Sequence, residues 1–178
     1  TVKRDGFKSH VLDLNADFGS RFQQFFPDLS WAELEPIFTE PDLFALHKSQ
    51  FDLLAENWST RILSHAPKYV GFSAFTQRNR LMIKLLCGKL RQKDRNVKLL
   101  VGGADCSDTI ALLQPDQLVD FYILGEADEA IVQLLRGDLS FPGINSLARP
   151  IKSLSDIPIP DYSNLDFSQY TSQPPTFY

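Results

Sequence analysis

The sequence predicts a doubly wound α/β domain built on a parallel sheet, and three observations carry that expectation. Short apolar runs recur along the chain: "HVLDLN" (10–15), "YVGFSAF" (69–75), "KLLVGG" (98–103) and "FYILGEA" (121–127). Their apolar character is continuous rather than alternating, as in strands covered on both faces. Helical stretches separate them, and strand–helix–strand order implies right-handed crossovers between parallel neighbours.

Each element has its own warrant. In "HVLDLN", Val11, Leu12 and Leu14 read as a short buried strand with polar residues at its end. From Asp17 to Pro67, apolar clusters around Phe22, Phe25 and Phe26, then from Leu43 to Leu54, predict two or three helices broken by Pro27, Pro36 and Pro41. "RNRLMIKLLCGKLRQKD" places Met82, Leu86 and Leu90, with Leu81 and Leu85, on one stripe of a helix. "SDTIALLQ" opens with Ser107 and Asp108, both good N-cap types. "DEAIVQLLRG" starts with acids and ends with Arg136 and Gly137, the polarity and terminal glycine expected of a helix. Beyond Gly137, "FPGINSLARP" predicts a small hairpin, and the proline-bearing text from Ile151 to Tyr178 reads as an extended linker. The chain thus divides into an α/β domain, residues 1–137, and a hairpin and linker, residues 138–178.

Composition narrows the function classes. The chain has 178 residues, is 43% hydrophobic and 22% charged, and carries a net charge of −4. Phosphate backbones are bound by clustered Lys and Arg, so nucleic acid is not an expected partner. The densest basic run, Lys89 to Arg95, falls late in a helix, where it complements the helix C-terminus. No apolar run approaches the ~20 residues of a membrane span. Cys87 and Cys106 make neither C-x-x-C nor zinc spacing, so the expected setting is reducing and cytoplasmic. His10, His47 and His65 pair with no ligand-spaced partner, and no catalytic or metal residues are assigned.

Parallel sheets bind ligands beyond the carboxyl ends of their strands. That rule selects Asn15–Gly19, Ser73–Gln77, Gly102–Ser107 and Gly125–Asp128, all small or polar. Gly102 and Gly103 serve either a tight strand-to-helix turn or the close approach of a ligand to the backbone. Gly125 and Glu126 can likewise be turn and cap chemistry, and Ser73 can bond a buried carbonyl. Neither G-x-G-x-x-G nor G-x-x-x-x-G-K-[ST] occurs, which disfavours a dinucleotide, flavin or P-loop site.

Taken in order, "VLDLN", "YVGFSAFT", "VKLLVGGADCS", "VDFYILGEADEAIVQLLRG" and "GINSLARPIKSLSDIPIPDYSNLDFSQY" resemble the cobalamin-binding domain that precedes radical S-adenosylmethionine domains. The resemblance spans residues 2 to about 170. It implies a flavodoxin-like, Rossmann-like sheet of order 2-1-3-4-5. The family pattern runs D-x-H-x-x-G, S-x-L, G-G. Here Ser73-Ala74-Phe75 stands in the S-x-L place, and Gly102-Gly103 follows at a fitting interval. By resemblance Ser73, Gly102 and Gly103 receive the nucleotide tail of cobalamin, within a cofactor-binding set of Asp13, Asn15, Ser73, Ala74, Phe75, Thr76, Gly102, Gly103, Ala104, Gly125 and Glu126. Asn15 replaces the family histidine and Phe18 its glycine, so base-off cobalamin without a histidine ligand is expected.

The resemblance further implies a first strand before Thr1, and a downstream radical domain carrying the 4Fe-4S cluster and S-adenosylmethionine. The segment itself would not be catalytic; it would present the corrinoid to that domain. Two other classes are weighed: a ligand-free interaction or scaffolding module, favoured if Phe18, Phe75 and Gln77 fill the pocket, and a flavin or nucleotide binder, disfavoured because the loops lack both phosphate glycines and basic residues.

Overall fold

A computed structural model describes residues 2–151 and, beyond them, Ser153, Ser155, Ile157, Ile159 and Ser163. The linker expected from Ile151 onward therefore lies almost wholly outside the described residues. Seven α-helices and four strands are described, besides two single 3₁₀ turns: α1 (Leu14–Phe25), α2 (Trp31–Thr39), α3 (Pro41–Leu46), α4 (Lys48–Leu63), β1 (Tyr69–Ser73), α5 (Arg80–Lys93), β2 (Lys98–Gly102), α6 (Cys106–Leu113), β3 (Phe121–Leu124), α7 (Asp128–Arg136) and β4 (Ser146–Leu147). No described helix is long and apolar enough to cross a membrane.

The four strands form one parallel sheet in the order β1-β2-β3-β4. Alternation along the strands sorts their side chains onto two faces. On one face Val70, Leu99 and Val101 meet the inner stripes of α4, α5 and α6, including Phe51, Leu54, Trp58, Leu86, Leu90, Ile110 and Leu113. On the other face Leu100 and Ile123 meet Ala130 and Leu134 of α7, with Ile144 and Ala148. Helices thus cover both faces, the α/β doubly wound class that the sequence predicts. Because α7 lies opposite α5 and α6 while the strands advance in one direction, the β3–α7–β4 connection has the opposite hand to the two before it.

Three local expectations are corrected. "HVLDLN" forms no strand: residues 10–12 carry no ladder, and Asp13 accepts the Ala16 N–H at 2.9 Å as the N-cap of α1. "FPGINSLARP" forms no hairpin. Asn145 bonds β3 twice, its N–H donating to Tyr122 O (2.8 Å) and its side-chain oxygen accepting from Tyr122 N (3.0 Å), which steers β4 into parallel pairing. Pro36 sits inside α2 rather than ending it, and Pro41 opens α3, where its missing N–H costs nothing. The helices between Asp17 and Pro67 therefore number four, counting α1 from Leu14.

The amino ends of β2 and β3 are fastened by one arginine and one aspartate. Arg91 donates to Val97 O (2.6 Å), Leu118 O (3.0 Å) and the Asp120 carboxylate, which also accepts from Leu99 N (2.8 Å) and Lys98 Nζ (2.9 Å). Lys89 pairs with Asp52 and Lys93 with Glu56. Much of the basic run is thus spent on structure.

Candidate functional site

The carboxyl edge begins where β1 and β2 end side by side. Ser73 and Gly102 are register partners, and alternation puts them on the sheet face that α7 leaves free near β1. Ser73 and Gly71 are exposed. A side chain added at Gly102 would meet only Ile123 O, at 3.7 Å, so the strand end is bare rather than crowded. Ser73 is not a buried hydroxyl in need of a carbonyl.

One residue further the edge is closed. Ala74, fully buried, donates its N–H to Gly102 O (2.7 Å) and accepts from Asp105 N (2.8 Å). Gly103 adopts φ +106°, and a Cβ there would lie 2.6 Å from Ala74 O. Gly103 is therefore glycine because backbone packs on backbone, the tight-turn alternative of the sequence reading. Ala74 and Gly103 knit the two strand ends together, while Phe75 (61% exposed), Thr76 and Ala104 stand outside them.

An ion-pair bridge spans the starts of α5 and α6. The Arg80 guanidinium donates to both oxygens of Asp105 (2.6 and 2.5 Å) and to Asp108 (2.6 Å), and Thr109 Oγ1 donates to Asp105 (3.2 Å). The Arg80 hydrogen bonds hold the Asp105 carboxyl below the usual carboxylate range, against a smaller opposing effect of burial. Asp105, not Ser107 or Asp108, occupies the N-cap position of α6, and its side chain serves Arg80 instead of the helix. Sequence reading missed this bridge because its partners are 25 residues apart; the polar text after the glycine pair was its only trace.

At the β3 end, Gly125 has φ +80° and lies under Leu147, 3.4 Å from an added Cβ. The Glu126 carboxylate accepts the Ile151 N–H. Neither residue is joined to the Ser73–Gly102 pair by any described contact.

Asp13 and Asn15 fall elsewhere. His10 stacks on His65, with ring centroids 4.3 Å apart, and His65 precedes the first residue of β1. Asp17 accepts from Trp58 Nε1 (2.7 Å) and pairs with Arg61, both in the last turns of α4. The segment carrying Asp13 and Asn15 is thereby held at the end of α4 that leads into β1, whereas Ser73 closes β1. Phe18 is buried against Phe38 and Phe26, and Phe75 is exposed, so these rings do not jointly fill a pocket.

Chemically, the edge offers shape more than reactivity. Arg80 is consumed by carboxylates. Burial pushes the Cys87 thiol up to about 12 and raises that of Cys106, so neither is an activated thiolate. Among the described residues no three His, Cys, Asp or Glu side chains gather as a metal-binding group. No family model, curated protein or solved structure matches the chain. The class that fold and edge define is a parallel α/β domain with a bare shelf at the carboxyl ends of two strands.

Proposed function

We propose that this chain is a corrinoid-binding module that holds cobalamin, without a histidine ligand, over the carboxyl edge of the sheet and presents it to a radical S-adenosylmethionine domain. The observation that carries the reading is the pairing of Ser73 with Gly102, two small residues side by side at the strand ends, Ser73 exposed and Gly102 half-buried. A long nucleotide arm laid along a sheet needs such a shelf, since a larger side chain at either position would occupy it. Gly71 extends the shelf toward the sheet centre. Ser73 and Gly102 would hold the arm, with Thr76 and Ala104 at its rim; Ala74 and Gly103 would support the shelf from beneath. When bound, the corrinoid would supply the organometallic chemistry, and the chain would supply position.

The test is direct. Hydroxocobalamin mixed with the 178-residue chain is expected to co-elute on gel filtration with an altered absorption spectrum. Gly102→Leu is expected to fold and lose that retention. A spectrum indifferent to protein, with all corrinoid in the small-molecule fractions, overturns the reading.

A second reading has its own observation. Phe75 and Leu147 are 61% and 71% exposed, at the ends of β1 and β4 on this same edge. A ligand-free interaction module would use such side chains to contact a partner domain. Retention of cobalamin that Phe75→Ser leaves intact favours the first reading. Failure of retention in the unsubstituted chain favours the second.

A further inference from the structure

The segment around β4 is attached to the sheet by a short series of contacts. Asn145 N and Ala148 N donate to Tyr122 O and Leu124 O, both at 2.8 Å, and Gly143 N donates to Ser146 Oγ at 3.1 Å. Gly143, at φ +105°, leaves room for Ala148, whose Cα would lie 3.0 Å from an added Cβ. Ala148 itself is buried, but Arg149 and Pro150 are exposed. Past this point the Glu126 carboxylate accepts the Ile151 N–H and so returns the chain to the sheet.

We propose that Glu126 is a clasp: a positioning residue that fixes the direction in which the chain leaves β4 and keeps it across the Gly125–Glu126 end of the carboxyl edge. The inference is independent of cobalamin and gives Glu126 a role other than ligand binding. Three features support it. Glu126 precedes α7 but caps nothing, since the N-cap position is Ala127 and no side chain caps that helix. Its carboxylate reaches a backbone amide 25 residues away. Gly125, at φ +80°, turns the backbone directly beneath Leu147 and so brings the carboxylate under the departing strand.

Amide hydrogen exchange on the 178-residue chain tests the clasp. A charge-assisted hydrogen bond protects its donor, so Glu126→Ala is expected to speed exchange at Ile151 about tenfold. Ala148, held by Leu124 O, is expected to keep its protection. Glu126→Gln retains an acceptor oxygen and is expected to restore much of the Ile151 protection. Unchanged exchange at Ile151 in Glu126→Ala overturns the proposal. So does a loss of protection that spreads to Ala148 and the β3 amides, because Glu126 would then be holding β3 together rather than directing the chain beyond it.

Discussion

At Gly103 an added methyl would strike the Ala74 carbonyl, and the backbone already sits at a φ that L-residues avoid. At Gly102 the same methyl would meet nothing closer than 3.7 Å. Gly103→Ala is therefore expected to cost at least about 2 kcal/mol of stability. Gly102→Ala is expected to stay within about 1 kcal/mol of the parent chain. Urea denaturation midpoints of the two variants decide the matter; equal midpoints would mean that Gly103 is not packed on Ala74. The sequence announced the pair without distinguishing its members. Both follow an apolar run, and only the path of Ala74, nearly 30 residues earlier in the chain, separates a structural glycine from one that leaves a shelf. Ser73 was legible as a strand-end residue, but its exposure depends on which face α7 covers.

Among the elements, β1, β2, β3 and α5, α6 and α7 follow from apolar runs and stripes that tertiary structure reinforces. "HVLDLN" did not become a strand because a short apolar run reads equally as the approach to a helix. The Asp13 carboxylate captured the Ala16 N–H and started α1. The clamp between α1 and α4 was not legible either: Asp17 meets Trp58 and Arg61 only after two intervening helices turn the chain back. Trp58 is 6% exposed, so removing its acceptor strands an indole N–H. Asp17→Ala is expected to cost roughly 1–3 kcal/mol, read as a lowered denaturation midpoint with quenching or shift of the Trp58 fluorescence. A neutral result would show that water replaces the carboxylate at no cost.

For the molecule as a whole, carboxyls that folding lowers, Asp105 and Asp120 among them, are expected to contribute to the acid limit of stability. Asp105 is held below the usual range chiefly by its Arg80 hydrogen bonds. For Asp120 burial acts upward, but the Leu99 N–H, Lys98 and Arg91 together outweigh it, and its carboxyl is lowered as well. A group whose pKa is depressed by folding stabilises the native state above its unfolded value, near 4, and loses that contribution as pH falls through the folded value. Stability is thus expected to hold from neutral pH down to about 5 and to decline below about 4. Asp120→Asn is expected to be weaker at pH 7 and to show a shallower acid decline. A variant whose denaturation midpoint falls with acid as steeply as that of the parent chain would count against Asp120 as a contributor. Fold class was readable at this scale because strand and helix periods alternate along the chain. The fastening of the sheet was not, since Arg91 and Asp120 lie 29 residues apart.

The rim of this sheet is tied down unevenly. Between β1 and β2, Ala74 spends both its N–H and its carbonyl on the neighbouring turn, and the Arg80 bridge backs that stitch. Between β3 and β4, the pairing is two residues long, backed by the Asn145 and Ala148 bonds to β3, and beyond it a surface carboxylate holds the chain. The first flank is therefore expected to open only with the core, and the chain past Ala148 on the second to open more readily. Whatever settles on the stiff flank finds a finished seat, and whatever meets the loose flank can reshape it.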